Sequence, residues 1–275
     1  EIASNQFLGE FGVYWVGASN SGGNSLSVHH NQFAVSAVGL GLSAWTNGSF
    51  VGIVESNTFA SSNVGIGVWA TSNAGNAALA GQINRNEFYS CATAGIYMYA
   101  APDAGEAAYN WTVDENLFDR NFWGMFAIGA PVGAGVEVQM DLFLDCNDFL
   151  NGTASGLNIR AQASSSASCV IDTVNIRNQY AGQSGPGMRL TASGASGGLA
   201  IHSAELRCNH VVSNGVGGIV VSEVGAATMN ADLGGTAFTA IGRNTLKNNG
   251  QYDLVASGLV NAARTIPAYF NWWET

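Results

Sequence analysis

The sequence predicts an all-β protein, a single solenoid of about nine coils. Three observations support this fold class. A short asparagine-containing unit recurs along nearly the whole chain, a glycine and an alternating apolar run follow each copy, and no stretch sustains a helical apolar stripe over twelve residues. Repeats of this length each form one structural unit that buries its apolar face only by stacking on its neighbours.

The first element of the repeat is asparagine, any residue, then an aromatic or aliphatic residue. It occurs nine times, with spacings of 26, 26, 29, 30, 31, 31, 31 and 35 residues. A side chain repeated once per coil would lie at the same corner of every coil, about 4.8 Å from its neighbours. We therefore expect a hydrogen-bonded ladder along the solenoid. Its central members are Asn31, Asn57, Asn86, Asn116, Asn147, Asn178 and Asn209.

The residue two positions after each asparagine is expected to point into the core. In the first six copies this residue is phenylalanine. Stacked at the inter-strand spacing, the rings would form one internal column. The expected column contains Phe7, Phe33, Phe59, Phe88, Phe118, Phe149, Tyr180, Val211 and Leu246.

The second and third elements of the repeat are short strands. Seven to nine residues after the asparagine comes a glycine with alternating apolar residues, as in GIGVW from Gly65 and GIYMY from Gly95. Another alternating stretch precedes the next asparagine, as in FVGIVESNTF. Alternation over four to eight residues indicates half-buried strands, and Asn, Gly and Ser between them favour turns. Each repeat is thus two or three strands.

This pattern resembles the right-handed parallel β-helix proteins of the pectate-lyase-like superfold, in particular the bacterial surface and secreted types. The resemblance rests on the Asn-x-Phe turns, the Gly-Ile-x-Val strands, the closing segment ADLGGTAFTAIGRNTLKNNGQYDLVASG and the terminal NWW. It implies one parallel β-helix domain over residues 1–275, with residues 260–275 as a C-terminal cap. We expect the N-terminal coil to be uncapped and to stack on another chain or on a missing domain.

Composition excludes several partners. The formal net charge is −10, charged residues make up 10 % of the chain, and the few arginines are scattered singly. Nucleic acid is therefore not an expected partner, because phosphate binding needs clustered cations. No uncharged apolar run is long enough for a membrane-spanning helix, so no membrane insertion is expected.

The four cysteines show no CxxC pair, so they either form two disulfides or remain free, buried thiols. They are Cys91, Cys146, Cys169 and Cys208.

The outward positions of the glycine-led strands carry the clearest candidate site. Trp69, Tyr97, Tyr99 and Phe126 are predicted to be neighbours on adjacent coils, with Arg160 and Arg189 just beyond them. An exposed apolar patch of several hundred Å² usually marks an interface. Three interpretations stay open: stacking on a sugar, contact with a protein, or burial of the rings under a longer loop.

Catalytic signals are weak. Asp114 and Asp145 share one register on successive coils, a pattern that acidic residues beside turns produce as well as a catalytic pair. The four histidines show no metal-ligand spacing. We therefore expect no catalytic residues, no metal site and no cofactor. Among the superfold's lyases such carboxylates would bind calcium, with Arg177 or Arg207 as the cation beside the base, so calcium is expected only if the protein is an enzyme.

These observations favour an extracellular, non-enzymatic protein with a structural or adhesive role, of the cell-surface or filament-forming type. Its expected partners are a second copy of the chain or another surface protein. The alternative is a polysaccharide-binding or polysaccharide-degrading β-helix of the lyase or epimerase type, which rests on analogy of fold alone.

Overall fold

A computed structural model describes residues 1–17, 24–44, 47–70, 76–195, 197–234, 242–259, 266–269 and 271–274. All regular structure in these ranges is β, and every strand pairing is parallel. The strands stack as a β-solenoid of about eight turns, close to the predicted nine. The predicted all-β solenoid is confirmed.

One long sheet, sheet A, carries the first strand of every coil. Its nine strands follow one another in chain order, so each coil adds one strand beside the previous one. They are β1 (Ile2–Ala3), β3 (Asn24–His29), β5 (Ser49–Glu55), β8 (Ala77–Asn84), β11 (Glu106–Asp114), β14 (Glu137–Asp145), β17 (Ser168–Ile176), β20 (Leu199–Arg207) and β23 (Ala227–Asp232).

The rest of each coil belongs to sheet B, which has a row of short strands and a row of long ones. In the first two coils the two rows are continuous, as β2 (Gln6–Gly17) and β4 (Gln32–Ala44). The short row continues with β6 (Thr58–Ala60), β9 (Glu87–Tyr89), β12 (Leu117–Asp119), β15 (Asp148–Leu150), β18 (Gln179–Ala181), β21 (His210–Val212), β24 (Thr245–Lys247) and β26 (Trp272–Glu274). The long row is β7 (Val64–Ala70), β10 (Ala94–Ala100), β13 (Trp123–Gly129), β16 (Leu157–Ala163), β19 (Pro186–Gly194), β22 (Gly217–Gly225) and β25 (Tyr252–Ser257).

The corner between sheet A and the short row is built by two residues. The first adopts a left-handed backbone conformation, for example Glu115 at φ 53° and Cys146 at φ 52°. The second is the repeated asparagine. Its Oδ1 accepts both the backbone N–H and the Nδ2 of the asparagine one coil earlier, and its own Nδ2 donates to backbone carbonyls. Asn116 bonds to Asn147 in this way at 3.0 Å for both contacts.

The ladder of these asparagines runs along the described solenoid. The seven central members are each buried, and each bonds to the next. Asn5 and Asn244 extend the ladder as the sequence suggests, and Asn271 adds a member that the spacing rule did not include. Buried amides in this arrangement satisfy the corner's backbone groups without water.

A second ladder at the next corner was not foreseen. It contains Asn121, Gln183, Asn214 and Asn249, and Asn214 bonds to Asn249 just as the first ladder does. At Gly152 the ladder lacks a side chain, and a Cβ added there would lie 2.1 Å from Oε1 of Gln183. The longer glutamine therefore fills the space that the glycine leaves.

The core is a row of stacked side chains between the sheets. Six ring pairs from Phe7 to Tyr180 stack with centroids 4.5–5.0 Å apart and planes within 7° of parallel. Val211 and Leu246 continue this column in register. The predicted internal column is confirmed.

The predicted C-terminal cap, residues 260–275, is described only at 266–269 and 271–274. Ile266 and Ala268 pack against the core, and β26 pairs with β24 as one more short strand. Trp272 and Trp273 are exposed. The described part of the segment thus continues the short row, and its role as a cap stays a prediction.

Candidate interaction surface

The register of sheet B brings the predicted outward residues into two adjacent columns. Gly67, Tyr97, Phe126, Asn158 and Arg189 follow one another on successive coils. The second column, two residues further along each strand, contains Trp69, Tyr99, Ile128, Arg160 and Thr191. The structure therefore brings together all six residues singled out from the sequence.

Two glycines let the first rings lie against the sheet. A Cβ added at Gly67 would lie 1.9 Å from the indole of Trp69, and one added at Gly41 would lie 2.3 Å from the ring of Tyr14. The absence of side chains at these two positions creates the space that the rings occupy. Tyr14 and Trp69 consequently meet across the column, with ring centroids 6.0 Å apart.

Further ring contacts lie on the following coils, where Tyr99 pairs in register with Trp69. Tyr97 lies 6.3 Å from Tyr99 and 5.3 Å from Phe126, measured between ring centroids. Tyr97, Tyr99 and Trp69 are each partly exposed. We call these residues, with Tyr14, Trp123 and Phe126, the aromatic strip.

Phe126 differs from its neighbours because it is only 5 % exposed. No loop over the ring is needed to explain this, since Trp123 stacks on Phe126 at 4.5 Å and Arg160 lies over it at 5.4 Å. Phe126 therefore forms the floor of the strip. Trp123 was not predicted from the sequence, because it precedes the strand's glycine and falls outside the alternating pattern. The adjacent Phe122, whose ring contacts Trp123, is a sequence feature that points to aromatic packing here.

The two arginines form the far end of the strip. Arg160 donates from Nε to Oδ1 of Asn158 at 3.2 Å, which fixes its guanidinium beside Phe126. Burial, together with the charge of Arg189, lowers the pKa of Arg160. Within the described ranges neither arginine has a carboxylate at salt-bridge distance. The strip thus ends in two uncompensated positive charges on a protein of net charge −10.

Few hydrogen-bonding side chains lie beside Tyr14 and Trp69, whereas Asn158 and Arg160 lie beside Phe126. Gly41 and Gly67 offer none, and Ile128 is apolar. Further along the second column, Thr191 and Ser222 bond to each other at 2.9 Å. A sugar platform needs polar groups beside its rings to bind hydroxyls, whereas protein contact surfaces are enriched in Trp, Tyr, Phe and Arg.

The carboxylates considered for catalysis lie at the asparagine corner. Asp114, Asp145 and Cys146 have potential ligand atoms within 4.8 Å of one another. Arg177 forms an ion pair with Asp145 and its hydrogen bond holds the pKa of Asp145 below the usual range, while burial raises the pKa of Asp114. Both oxygens of Asp145 accept hydrogen bonds from Arg177, so this arrangement is an ion pair bridging two coils.

Buried thiols allow a simple test. All four cysteines are free; Cys91 and Cys169 are buried, while Cys146 and Cys208 are exposed. Burial raises the pKa of the Cys91 and Cys169 thiols to about 12. Because the thiolate is the reactive form, we expect a thiol reagent to modify two cysteines in the folded protein and four after unfolding. Mass spectrometry of the modified peptides would identify them, and modification of Cys169 in the folded state would contradict this assignment.

The buried side chain of His202 should make the folded state less stable in acid. The side chain is fully buried, Nε2 lies 3.3 Å from the Thr173 hydroxyl, and no partner for Nδ1 is found in the described residues. Burial lowers the pKa of His202 from 6.5 to about 4. The unfolded chain therefore takes up a proton at higher pH than the folded one, and stability falls as the pH decreases from 6.5 to 4.

We expect His202 to cause a loss of about 3 kcal/mol in the free energy of unfolding between pH 7 and pH 4, and His202→Met to abolish this loss. Methionine fits because Ile171 and Met229 flank His202 in the same inward column. Urea unfolding at the two pH values measures this difference, and the same substitution at exposed His210 is the control. An unchanged pH dependence in His202→Met would contradict the assignment.

Comparison with protein-family models, with curated proteins and with solved structures finds no significant match for this chain. Among the described residues no helix has the length and apolarity needed to cross a membrane. The findings support a parallel β-solenoid; assignment to the pectate-lyase-like superfold stays a prediction.

Proposed function

We propose that the protein is a non-enzymatic extracellular β-solenoid with a structural or adhesive role, of the cell-surface or filament-forming type. Under this proposal the aromatic strip is a contact surface for protein, first of all for a second copy of the chain. The proposal includes the finer assignment to the pectate-lyase-like superfold of bacterial surface and secreted proteins.

The observation that carries the proposal is the composition and shape of the strip. Trp69, Tyr97 and Tyr99 lie partly exposed on a rigid sheet, with few hydrogen-bonding side chains beside them. Truncation of aromatic and arginine side chains typically weakens protein interfaces most. The short polar loops and low charge of the chain also suit a rod that acts through its faces rather than through a catalytic cleft.

The test is association of the protein with itself after removal of the rings. We expect Trp69→Ala/Tyr97→Ala to shift the sedimentation coefficient from assembled species toward a single monomer boundary. These side chains point outward, so the melting temperature should change little. Tyr252→Ala, which removes an exposed ring outside the strip, is the control. Unchanged assembly in the double variant would overturn the assignment of the strip.

A second candidate function, polysaccharide binding, is favoured by one observation: the Trp69 and Tyr14 rings lie against the sheet and offer stacking faces. Calorimetry with acidic and neutral polysaccharides, with and without calcium, distinguishes the two functions. Calcium-dependent cleavage or tight binding by a monomer would favour this candidate, whereas assembly without any polysaccharide supports the first.

A further inference from the structure

The outward faces of the two long sheets match each other coil by coil. We propose that the aromatic strip and its two arginines dock on the outward face of sheet A of a second copy, with the two rods side by side and equivalent coils facing each other. This inference rests on the proposed function and identifies the surface that the strip contacts.

The outward face of sheet A carries small side chains on the coils where the strip carries large rings. Ala78, Ala80 and Ala108 point outward from β8 and β11 and form the floor of a shallow hollow of about 310 Å³. On the same two coils, the strands β10 and β13 carry Tyr97, Tyr99, Trp123 and Phe126 on sheet B. A side-by-side arrangement therefore places large rings over small side chains, which is the complementarity that a packed contact requires.

Sheet A is acidic where sheet B is basic. Asp141 and Asp172 lie directly beside each other on β14 and β17, and Nε2 of Gln139 lies 2.6 Å from Asp141 and 3.4 Å from Asp172. The same two coils carry Arg160 on β16 and Arg189 on β19.

The two aspartates face each other across one inter-strand spacing, about 4.8 Å. Arg189 pairs with Asn158, so the two arginines are diagonal neighbours on adjacent strands, about 7–8 Å apart. Neither aspartate has an ion-pair partner among the residues that the structure describes, and the same is true of both arginines. A second copy would supply two opposite charges to each pair at matching height.

The apolar edges of the same face support contact with protein. Val51, Ile53 and Phe143 point outward from sheet A and are each about 40–50 % exposed. Val51 and Ile53 belong to the coil that carries Trp69 on its other side. Exposed side chains of this kind next to the hollow extend the apolar part of the contact.

The size of the faces is sufficient for a specific but weak contact. Five coils at 4.8 Å and strands of seven residues give a face of roughly 24 by 23 Å, or about 1,100 Å² for both partners. This area is close to the lower limit for a specific interface. Because the two surfaces differ, the contact is heterologous, and each copy keeps one free face for the next. Assembly should therefore grow with protein concentration.

Charge exchange tests the pairing of the faces. We expect Arg160→Asp/Arg189→Asp to sediment as a monomer, because both of its faces are then acidic. Asp141→Arg/Asp172→Arg should also be monomeric, because both faces are then basic. An equimolar mixture should assemble again, since each face then meets an opposite charge on the other variant.

Two further variants keep the outcome clear. Arg85→Asp/Arg120→Asp carries the same change in charge at exposed corners and should assemble like the unmodified chain. Ala80→Trp places an indole in the hollow. Assembly of this variant should require at least a tenfold higher protein concentration, and its melting temperature should be unchanged.

Failure of the mixture to assemble, in a protein whose assembly depends on Trp69 and Tyr97, would overturn the pairing with sheet A and leave the strip as a protein contact. An unmodified chain that stays monomeric at all concentrations would overturn both the pairing and the proposed function.

Discussion

Replacing Asn147 by alanine is expected to lower the free energy of unfolding by roughly 4 kcal/mol, because several buried groups lose their partners at once. Its Oδ1 accepts two hydrogen bonds from Asn116, both at 3.0 Å. Its Nδ2 lies 2.8 Å from the Val113 carbonyl, 3.0 Å from the Asp145 carbonyl and 2.9 Å from Oδ1 of Asn178. Asn147 is fully buried, so water cannot replace these contacts.

Chemical denaturation of the purified variant measures this effect, and the ladder supplies its own control. Asn5 makes the same type of contact with Asn31 but is exposed. Asn5→Ala should therefore cost about 1 kcal/mol or less, since water can satisfy the groups that lose a partner. Equal losses at the two positions would contradict a burial-dependent ladder.

Replacing Trp111 by alanine is expected to cost about 3–5 kcal/mol, the range for truncating a large core aromatic residue. Trp111 is fully buried and lies in an inward column between Gly81 and Leu142. A Cβ added at Gly81 would lie 2.8 Å from the Trp111 ring, and one at Gly52 would lie 3.4 Å from it. One indole thus fills the space above two glycines, and alanine would leave a cavity that the rigid coils cannot close.

Thermal and denaturant unfolding measure the loss, with Trp272→Ala as a matched control because that indole is exposed. Trp111→Phe should lose less than Trp111→Ala, since a six-membered ring still fills part of the space. A Trp111→Ala variant as stable as the unmodified protein would show that the column is not packed as described.

The solenoid was predictable because each coil repeats the same local chemistry. An asparagine near every thirtieth position, followed by an inward phenylalanine, specifies a corner and a core position without knowledge of distant contacts. The outward columns followed from the same repeat by counting two residues at a time. These features depend only on register, and the structure reproduces that register.

Other features depended on contacts that the repeat does not encode. Phe126 is outward yet buried because Trp123 and Arg160 cover it, and this needs their side-chain directions. The larger side chain of Gln183 fills the space left by Gly152, so the repeat pattern is broken in two coils at once. Neither residue can be recognised as half of this pair from its own coil. The match between the two outward faces required both registers together, since the aspartates and arginines are separated along the chain.

The size of the unmodified chain in solution shows directly whether this solenoid acts through protein contact of its outward faces. Light scattering with negative-stain imaging at neutral pH, over a series of protein concentrations, measures it. If the outward faces hold copies together, the solution contains ordered species larger than the 28.4 kDa monomer, and these grow as concentration rises. A particle of monomer size at every concentration would contradict this contact.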